Sequence, residues 1–443
     1  MIKVLKFGGS SVGSIKNLHT IRGLLKQTQG KKIVVCSAIK GVTDRLVVLA
    51  GHVKENQTVA AENSLDLLQK QHHAFIEDLI DSPATRKETK AHIDRLISEV
   101  RKFVLRDSSQ INTSQILTLG EELLTVIFSK FLTASGVHNV LLKAKDFMYI
   151  DSLETPNIEK VTSKLRAELQ HEEPTDIYIT QGFVCRDKKG TLSNLQRGGS
   201  DYTATIIGAA VNADEVQIWT DINGLHNNDP RYVAETFSIP QISYGEAADL
   251  AFFGAKILHP KTMIPIKDRH IPLILKNTFD PTAEGTVISN KALKKGIKAI
   301  AAKDGITLLK VRINRNISLS QYVSSASEIL SKHKATVDMF TISGDSVSLA
   351  IQNTSRLNEI IADLRKESSV TAYFDHSIIC IVGEALSQDK NAEKITDIIN
   401  ELPVKMVSYE NSDNIPFLVD TTHKITVLRY LNDQLFSSNL AIA

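Results

Sequence analysis

Short apolar runs punctuate the first two-thirds of the chain. They fall at Ile2–Phe7, Lys32–Ser37, Val137–Leu142, Asp176–Thr180, Glu215–Thr220 and Ile271–Leu275. Most are β-branched and nearly unbroken, which predicts strands buried on both faces. Between them, apolar positions recur at helical spacing over Ser14–Gln27, Gly120–Ala134, Ile158–Leu169 and Ser200–Ala210. Strands alternating with helices predict an α/β fold, with a mostly parallel sheet between helical layers. The stretch from Glu55 to Arg106 has no strand pattern and reads as a helical excursion. His72 and His73 within it are expected on solvated helix faces, not as ligands.

The pattern changes near Ser289. Asn290–Lys298 carries Lys291, Lys294, Lys295 and Lys298 with little apolar content and reads as a linker. After it come a strand at Ile306–Ile313, a helix at Gln321–His333, strands at Thr336–Thr341 and Ser346–Gln352, and a helix at Arg356–Lys366. The order recurs as strand Ile378–Val382, helix Ala392–Leu402, strands Val404–Tyr409 and Pro416–Val419, and helix Lys424–Phe436. This is an internal repeat of an α+β unit. The second copy lacks its last strand, which Ile297–Ala302 is placed to supply, so the copies are expected to interlace as βαββαβ units. The expected division is residues 1–289 and 290–443. The latter holds one unit at about 305–370 and another at about 371–443 plus strand 297–302.

Composition narrows the function classes. With 443 residues there is room for two or three domains, and 42% hydrophobic with 23% charged residues is ordinary for a globular protein. A net charge of +2 gives no case for nucleic acid or a membrane surface. No apolar stretch approaches the roughly 20 residues of a membrane helix, and no signal-peptide order precedes the first strand. Cys36, Cys185 and Cys380 are odd in number and far apart. They predict reduced thiols in a cytoplasmic protein, with no disulfide frame and no zinc spacing.

Parallel sheets place ligands at the carboxyl ends of their strands. Lys6-Phe7-Gly8-Gly9-Ser10-Ser11 stands at the end of the first. Glycines there let a phosphate approach backbone N–H groups, and a lysine adds a mobile charge for a phosphoryl group in transfer. The same residues also read as a glycine turn beside a surface lysine. No Walker A loop and no G-x-G-x-x-G is present. Ser37 and Gly41-Val42-Thr43 follow the second strand, and Thr220-Asp221 with Asn223-Gly224 and Asp229-Pro230-Arg231 follow Glu215–Trp219. In Arg197-Gly198-Gly199-Ser200-Asp201, the arginine is a fork for a carboxylate, the glycines allow close approach, and Asp201 orients an amine. Ser200 or Asp201 as a simple helix cap is the alternative. Glu121 at a helix start either complements the dipole or grips an ammonium. Arg231 and Lys256 read as phosphate contacts or as surface ion pairs.

Together K-F-G-G-S-S at Lys6, L-G-E at Leu119, R-G-G-S-D at Arg197, W-T-D at Trp219 and F-G-A-K-I-L-H-P at Phe253 resemble the aspartate kinases. The resemblance spans essentially the whole chain and is closest to the monofunctional, lysine-sensitive type; the C-terminal repeat resembles a pair of ACT domains. It implies an amino-acid-kinase αβα sandwich followed by two interlaced ACT domains. The implied reaction is ATP plus L-aspartate giving 4-phospho-L-aspartate and ADP, the first step toward lysine, threonine and methionine. By position, it implies Lys6 and Asp201 as catalytic residues and Ser37, Thr43, Glu121, Arg197, Gly199 and Ser200 as the aspartate site. It assigns ATP to Lys6, Gly8, Gly9, Ser10, Thr220, Asp221, His226, Arg231, Lys256 and Ile257. Mg2+ comes with the nucleotide and has no side-chain ligand of its own. A homodimer through the ACT units is implied, with a tetramer as a further state.

The regulatory positions depart from that type. Asn316, Leu319, Tyr322, Val323, Asp338, Gly344 and Asp345 are the candidates for a lysine effector. Gln321-Tyr322 and Ile342-Ser343-Gly344 stand where the type has glycine-aromatic and T-S-E runs. Asp338 is kept, but the glutamate is missing, which predicts weak or altered lysine inhibition. His226 stands where a tyrosine is common. Two other functions fit parts of the pattern: a sibling kinase for glutamate, acetylglutamate or carbamate, and an amino-acid sensor with an inactive kinase domain. The paired repeats, Glu121 and Arg197 disfavour the first; the presence of Lys6 and Asp201 disfavours the second.

Overall fold

The computed structural model describes the chain except residues 105–112, 172–174, 197, 256, 291–294, 315–316, 387–390, 410–412 and 441–443. It divides into two compact units. The first comprises Met1–Leu225, Pro240–Tyr244 and Leu258–Lys291; the second comprises His226–Ile239, Gly245–Ile257 and Ala292–Ala443.

In the first unit the strands are β1 (Ile2–Phe7), β2 (Lys31–Cys36), β3 (Val140–Leu141), β4 (Ile177–Gln181), β5 (Val184–Arg186), β6 (Leu192–Asn194), β7 (Glu215–Thr220), β8 (Gln241–Ser243), β9 (Leu273–Asn277) and β10 (Thr286–Ser289). Eight of them form one sheet in the order β3-β4-β2-β1-β7-β9-β10-β8, and β5 and β6 form a separate hairpin. Every pairing in the large sheet is parallel except β9 with β10. Its central strands are buried, as their unbroken apolar runs require. The predicted strand at Val137–Leu142 shrinks to the two residues of β3 at the sheet edge.

Register fixes where the site lies. Lys6 sits opposite Val35 on one side and Ile218 on the other, and Phe7 opposite Cys36 and Trp219. The chain therefore leaves β1, β2 and β7 at one level. Ser14 then caps helix Ile15–Gln27 by accepting the Asn17 N–H. The predicted excursion is the helix pair Thr58–Leu79 and Pro83–Val104. Leu65, Leu68, Ile76, Ile93 and Ile97 join one core with β1 and β2. Here the expectation for His72 is corrected. It faces that helix interface and is fully buried, its Nδ1 2.8 Å from the Leu68 carbonyl oxygen, because it falls on the i, i+4 stripe of Leu65, Leu68 and Ile76. His73 stays partly exposed against Asp94.

The second unit holds a six-stranded antiparallel sheet. Its strands are β11 (Gly296–Ile313), β12 (Val337–Ser343), β13 (Ser346–Gln352), β14 (Ser368–Glu384), β15 (Met406–Val407) and β16 (Asn414–Asp420), in the order β12-β13-β11-β14-β16-β15. The linker expected at Asn290–Lys298 is also corrected: β11 has begun by Gly296, and residues 291–294 lie outside the described ones. The segments Ile297–Ala302 and Ile306–Ile313 are two halves of that one strand. Its first half pairs with Ile378–Val382 and its second half with β13 and with Ser368–Tyr373. Helices Leu319–Lys332 and Leu357–Leu364 close a core over the second half, and Asn391–Asn400 and Lys424–Leu440 close another over the first. The two α+β units are interlaced, as the repeat predicts.

Candidate active site

An open cleft of about 440 Å³ lies in the first unit at the carboxyl ends of the central strands. Seven of the predicted site residues line it: Lys6, Ser37, Thr43, Glu121, Gly199, Ser200 and Asp201. They come from β1, from the segment after β2, and from the first turns of helices Leu119–Ala134 and Gly199–Val211.

Lys6 stands next to the last residue of β1 with its side chain 10% exposed, and its Nζ is 2.6 Å from Asp201 Oδ1. The turn after it needs glycine for space. A Cβ on Gly9 would sit 3.1 Å from the Ala38 carbonyl oxygen, and one on Gly8 would sit 3.2 Å from Lys6 Nζ. Asp201 lies in the first turn of helix Gly199–Val211. The N-cap of that helix is Gly198 in the left-handed region, and no side chain caps it. Neither Ser200 nor Asp201 serves as the cap, so both side chains are left for the cleft. Ser200 is pressed against Gly182, just after β4: a Cβ on Gly182 would fall 2.5 Å from Ser200 Cβ and Oγ.

Glu121 is buried at the cleft floor. Its Oε1 accepts the Ala38 N–H at 3.2 Å, and its Oε2 has no partner. Burial raises its carboxyl to about 8, outweighing the Ala38 hydrogen bond and the Lys6 charge. A half-satisfied buried carboxyl beside an open cleft is arranged to receive a donor, and an ammonium is the strongest one available.

Sequence reasoning did not single out Phe183, Asn194, Gln196 or Leu117, which also line the cleft. Phe183 and Gln196 hold φ of 67° and 57°, conformations that non-glycine residues seldom adopt. The β5–β6 hairpin presents Asn194, whose Oδ1 accepts the Gln196 N–H at 3.1 Å.

The remaining candidates lie elsewhere. Gly8, Gly9 and Ser10 form the turn after β1. Thr220 ends β7, with its Oγ1 3.2 Å from Asp221 Oδ1. In the second unit, His226 Nδ1 meets Thr236 Oγ1 at 2.9 Å, and Arg231 is exposed and paired with Asp229 at 2.5 Å. Ile257 is half-buried there. Arg197, Lys256 and Asn316 lie outside the described residues. Tyr322 is a core residue, 1% exposed, with its hydroxyl 3.2 Å from Ser368 Oγ. Leu319 and Val323 are half-buried on the same helix, Gly344 turns between β12 and β13, and exposed Asp345 pairs with Arg312. The Asp338 side chain is buried, its Oδ1 2.7 Å from Lys303 Nζ.

The family model for the amino acid kinase family matches residues 1–277, and the chain belongs to that family. It is 28% identical over 454 residues to the lysine-sensitive aspartokinase 3 of Escherichia coli K12, covering 98% of this chain and 99% of that one. It is 28% identical to the aspartokinase of Chlamydia pneumoniae, covering 89% and 88%. Among solved structures, it resembles E. coli aspartokinase III in complex with aspartate and ADP. The TM-score is 0.83 and the identity 27%, over 99% of this chain and all of that one. The complex of the same enzyme with lysine and aspartate gives a TM-score of 0.80.

Proposed function

We propose that this protein is an aspartate kinase, transferring the γ-phosphoryl group of ATP to the β-carboxylate of L-aspartate. The observation that carries it is the convergence of the Lys6–Asp201 ion pair and the half-satisfied Glu121 in one cleft. The relatives named above carry the same activity in their names.

The β-carboxylate of aspartate is already a nucleophile, so no base is needed. Its oxygen forms a bond to the γ-phosphorus as the bond to the β–γ bridging oxygen breaks, and ADP departs with that electron pair. Glu121 pairs with the substrate ammonium, Arg197 with its α-carboxylate, and Ser37, Thr43 and Ser200 hold its oxygens. Lys6 follows the charge on the transferring group, and Asp201 fixes the lysine's position. Gly8, Gly9 and Ser10 give the phosphates access to backbone, with Thr220, Asp221, His226, Arg231, Lys256 and Ile257 assigned to the rest of the nucleotide. Among the described residues no cluster of three His, Cys, Asp or Glu side chains offers Mg2+ a cage. Mg2+ is assigned to the nucleotide phosphates, where it would neutralise charge.

The second unit is assigned as an amino-acid-responsive regulatory region and as the dimer contact. Edge strand β12 exposes Phe340 and Ile342, an apolar edge that a second copy would cover. Among the described residues no helix is long and apolar enough to cross a membrane, and a cytoplasmic location is part of the proposal.

The test is ATP consumption by purified protein with Mg2+, comparing L-aspartate with L-glutamate. Aspartate-dependent turnover supports the assignment. Turnover with glutamate instead overturns the substrate, and aspartate binding without turnover favours a sensor.

A further inference from the structure

Residues His226–Ile239 leave the first unit and belong to the second. They carry His226 and Arg231, two of the side chains assigned above to the nucleotide. This loop is tied to the last helix, Lys424–Leu440, by side-chain amides in the interior. Asn432 on that helix is buried, and so are Asn227 and Asn228 on the loop. Asn432 Oδ1 accepts from Asn227 Nδ2 at 3.1 Å and from Asn228 Nδ2 at 3.4 Å. Its Nδ2 donates to the Glu235 carbonyl oxygen at 3.2 Å. One side chain thus holds the outgoing arm of the loop at 227–228 and the returning arm at 235.

The loop is closed at the same level. The Asn227 N–H donates to the Phe237 carbonyl oxygen at 3.1 Å, and Asn227 Oδ1 accepts the Phe237 N–H at 2.8 Å. The Asn227 carbonyl oxygen accepts the Ile300 N–H of β11 at 2.8 Å. Three residues before Asn432, on the same helix face, Arg429 Nε donates to the Tyr232 carbonyl oxygen at 3.0 Å. Val233 and Phe237 add apolar packing against Leu428, Leu431 and Phe436. Apolar contacts tolerate sliding. A buried amide that loses a partner is left unsatisfied, so the amides select one position for the loop.

We propose that Asn432 is a positioning residue for ATP: with Arg429, it fixes the loop that presents His226 and Arg231 to the nucleotide. This rests on the function proposed above. Without the amide, the apolar packing keeps the loop attached but no longer holds it in one place, and a shift of about 1 Å in a binding group costs up to ~100-fold. The aspartate residues Ser37, Thr43, Glu121 and Ser200 stand on elements of the first unit, so the effect falls on ATP.

The experiment compares the wild type, Asn432→Leu and Arg429→Met by ATP and aspartate KM, kcat, ATP affinity by calorimetry, and amide hydrogen exchange over residues 226–239 without nucleotide. Wild-type turnover tests the function; exchange reads the hold on the loop whether or not the enzyme turns over. Asn432→Leu keeps the volume and removes the three hydrogen bonds. It is expected to speed exchange in the loop and to raise ATP KM and Kd about tenfold, with aspartate KM within about twofold. A merely structural role would lower the folded fraction, and with it kcat, without separating the two KM values. Unchanged exchange or unchanged ATP KM and Kd in Asn432→Leu overturns the proposal, as does an equal rise in both KM values. Arg429 is exposed, and Arg429→Met removes one hydrogen bond, so this variant is expected to fold and to raise ATP KM about threefold. Should Asn432→Leu fail to fold, an unchanged ATP KM in Arg429→Met overturns the proposal.

Discussion

Lys6 Nζ and Asp201 Oδ1 lie 2.6 Å apart, with side chains 10% and 13% exposed. The two residues are far apart in the sequence of the first unit, Lys6 next to the last residue of β1 and Asp201 in the first turn of helix Gly199–Val211. Both line the open cleft, and on the proposed function the ammonium meets a phosphoryl oxygen there. Replacing Lys6 with alanine is expected to lower kcat by roughly 100-fold or more, since a charge that develops in transfer loses its counterion. Asp201→Asn is expected to lower kcat less, because the lysine remains but is no longer fixed. Turnover measured beside thermal midpoints decides this; near-normal kcat in Lys6→Ala would remove the lysine from the chemistry.

On the proposed role, Glu121 is expected to couple aspartate binding to pH. Burial moves its carboxyl from an ordinary 4.5 to about 8 in the folded chain. Below that pH it holds a proton and cannot pair fully with an ammonium, so kcat/KM for aspartate should rise with pH and level off near 8. The stability term runs oppositely. The unfolded chain releases the proton near 4.5 and the folded chain keeps it to about 8, so stability present at low pH is lost as pH rises between them. Glu121→Gln should raise aspartate KM, leave ATP KM unchanged and flatten both limbs. An aspartate KM unaltered by the substitution would exclude ammonium recognition.

His72 gives the complementary slope. Burial lowers its pKa from 6.5 to about 4, ahead of the Leu68 hydrogen bond that opposes this. The unfolded chain takes up a proton as pH falls through 6.5 and the folded chain resists until about 4. Stability is thus intact above 6.5 and declines between the two values, by up to roughly 3 kcal/mol. Urea midpoints at several pH values are expected to fall through this window, and His72→Leu to flatten the fall. Equal slopes in both proteins would show that other groups govern acid stability.

What the sequence made legible follows from local chemistry. Ile2–Phe7 is apolar, β-branched and stopped by Gly8 and Gly9, so both the strand and its phosphate-ready end were readable. The cleft walls that escaped notice, Phe183 and Gln196, owe their place to left-handed backbone, and nothing in a phenylalanine or a glutamine announces a positive φ. The long strand β11 reads as two pieces, and only Ile378–Val382 of β14 reads as a strand, for a different reason. Lys303-Asp304-Gly305 breaks the apolar pattern between Ile297–Ala302 and Ile306–Ile313, yet β11 continues across β14 through register shifts at Asp304/Ile306. His72 was misplaced because a histidine on an apolar stripe looks polar until its partner helix is known.

Asp338 carries the last prediction. Its carboxylate is fully buried, one oxygen 2.7 Å from Lys303 Nζ and the other without a partner. Lys303 is held in turn over the Phe252 ring at 4.8 Å. Burial raises the Asp338 pKa, and Lys303 opposes that. On the proposed assignment of Asp338 to a lysine effector, an incoming ammonium displaces a lysine the protein already supplies, at a site where the resembling type would offer a further carboxylate. Inhibition of ATP consumption by L-lysine is expected to be weak. Lys303→Met leaves the stem in place and removes the competing charge, so it is expected to shift half-inhibition to about tenfold lower lysine, a gain of about 1.4 kcal/mol for one charge-assisted bond. The measurement is a lysine titration of both proteins at fixed aspartate. Strong inhibition of the unmodified enzyme, or a Lys303→Met enzyme with the same response, would show that Lys303 does not occupy the effector's place.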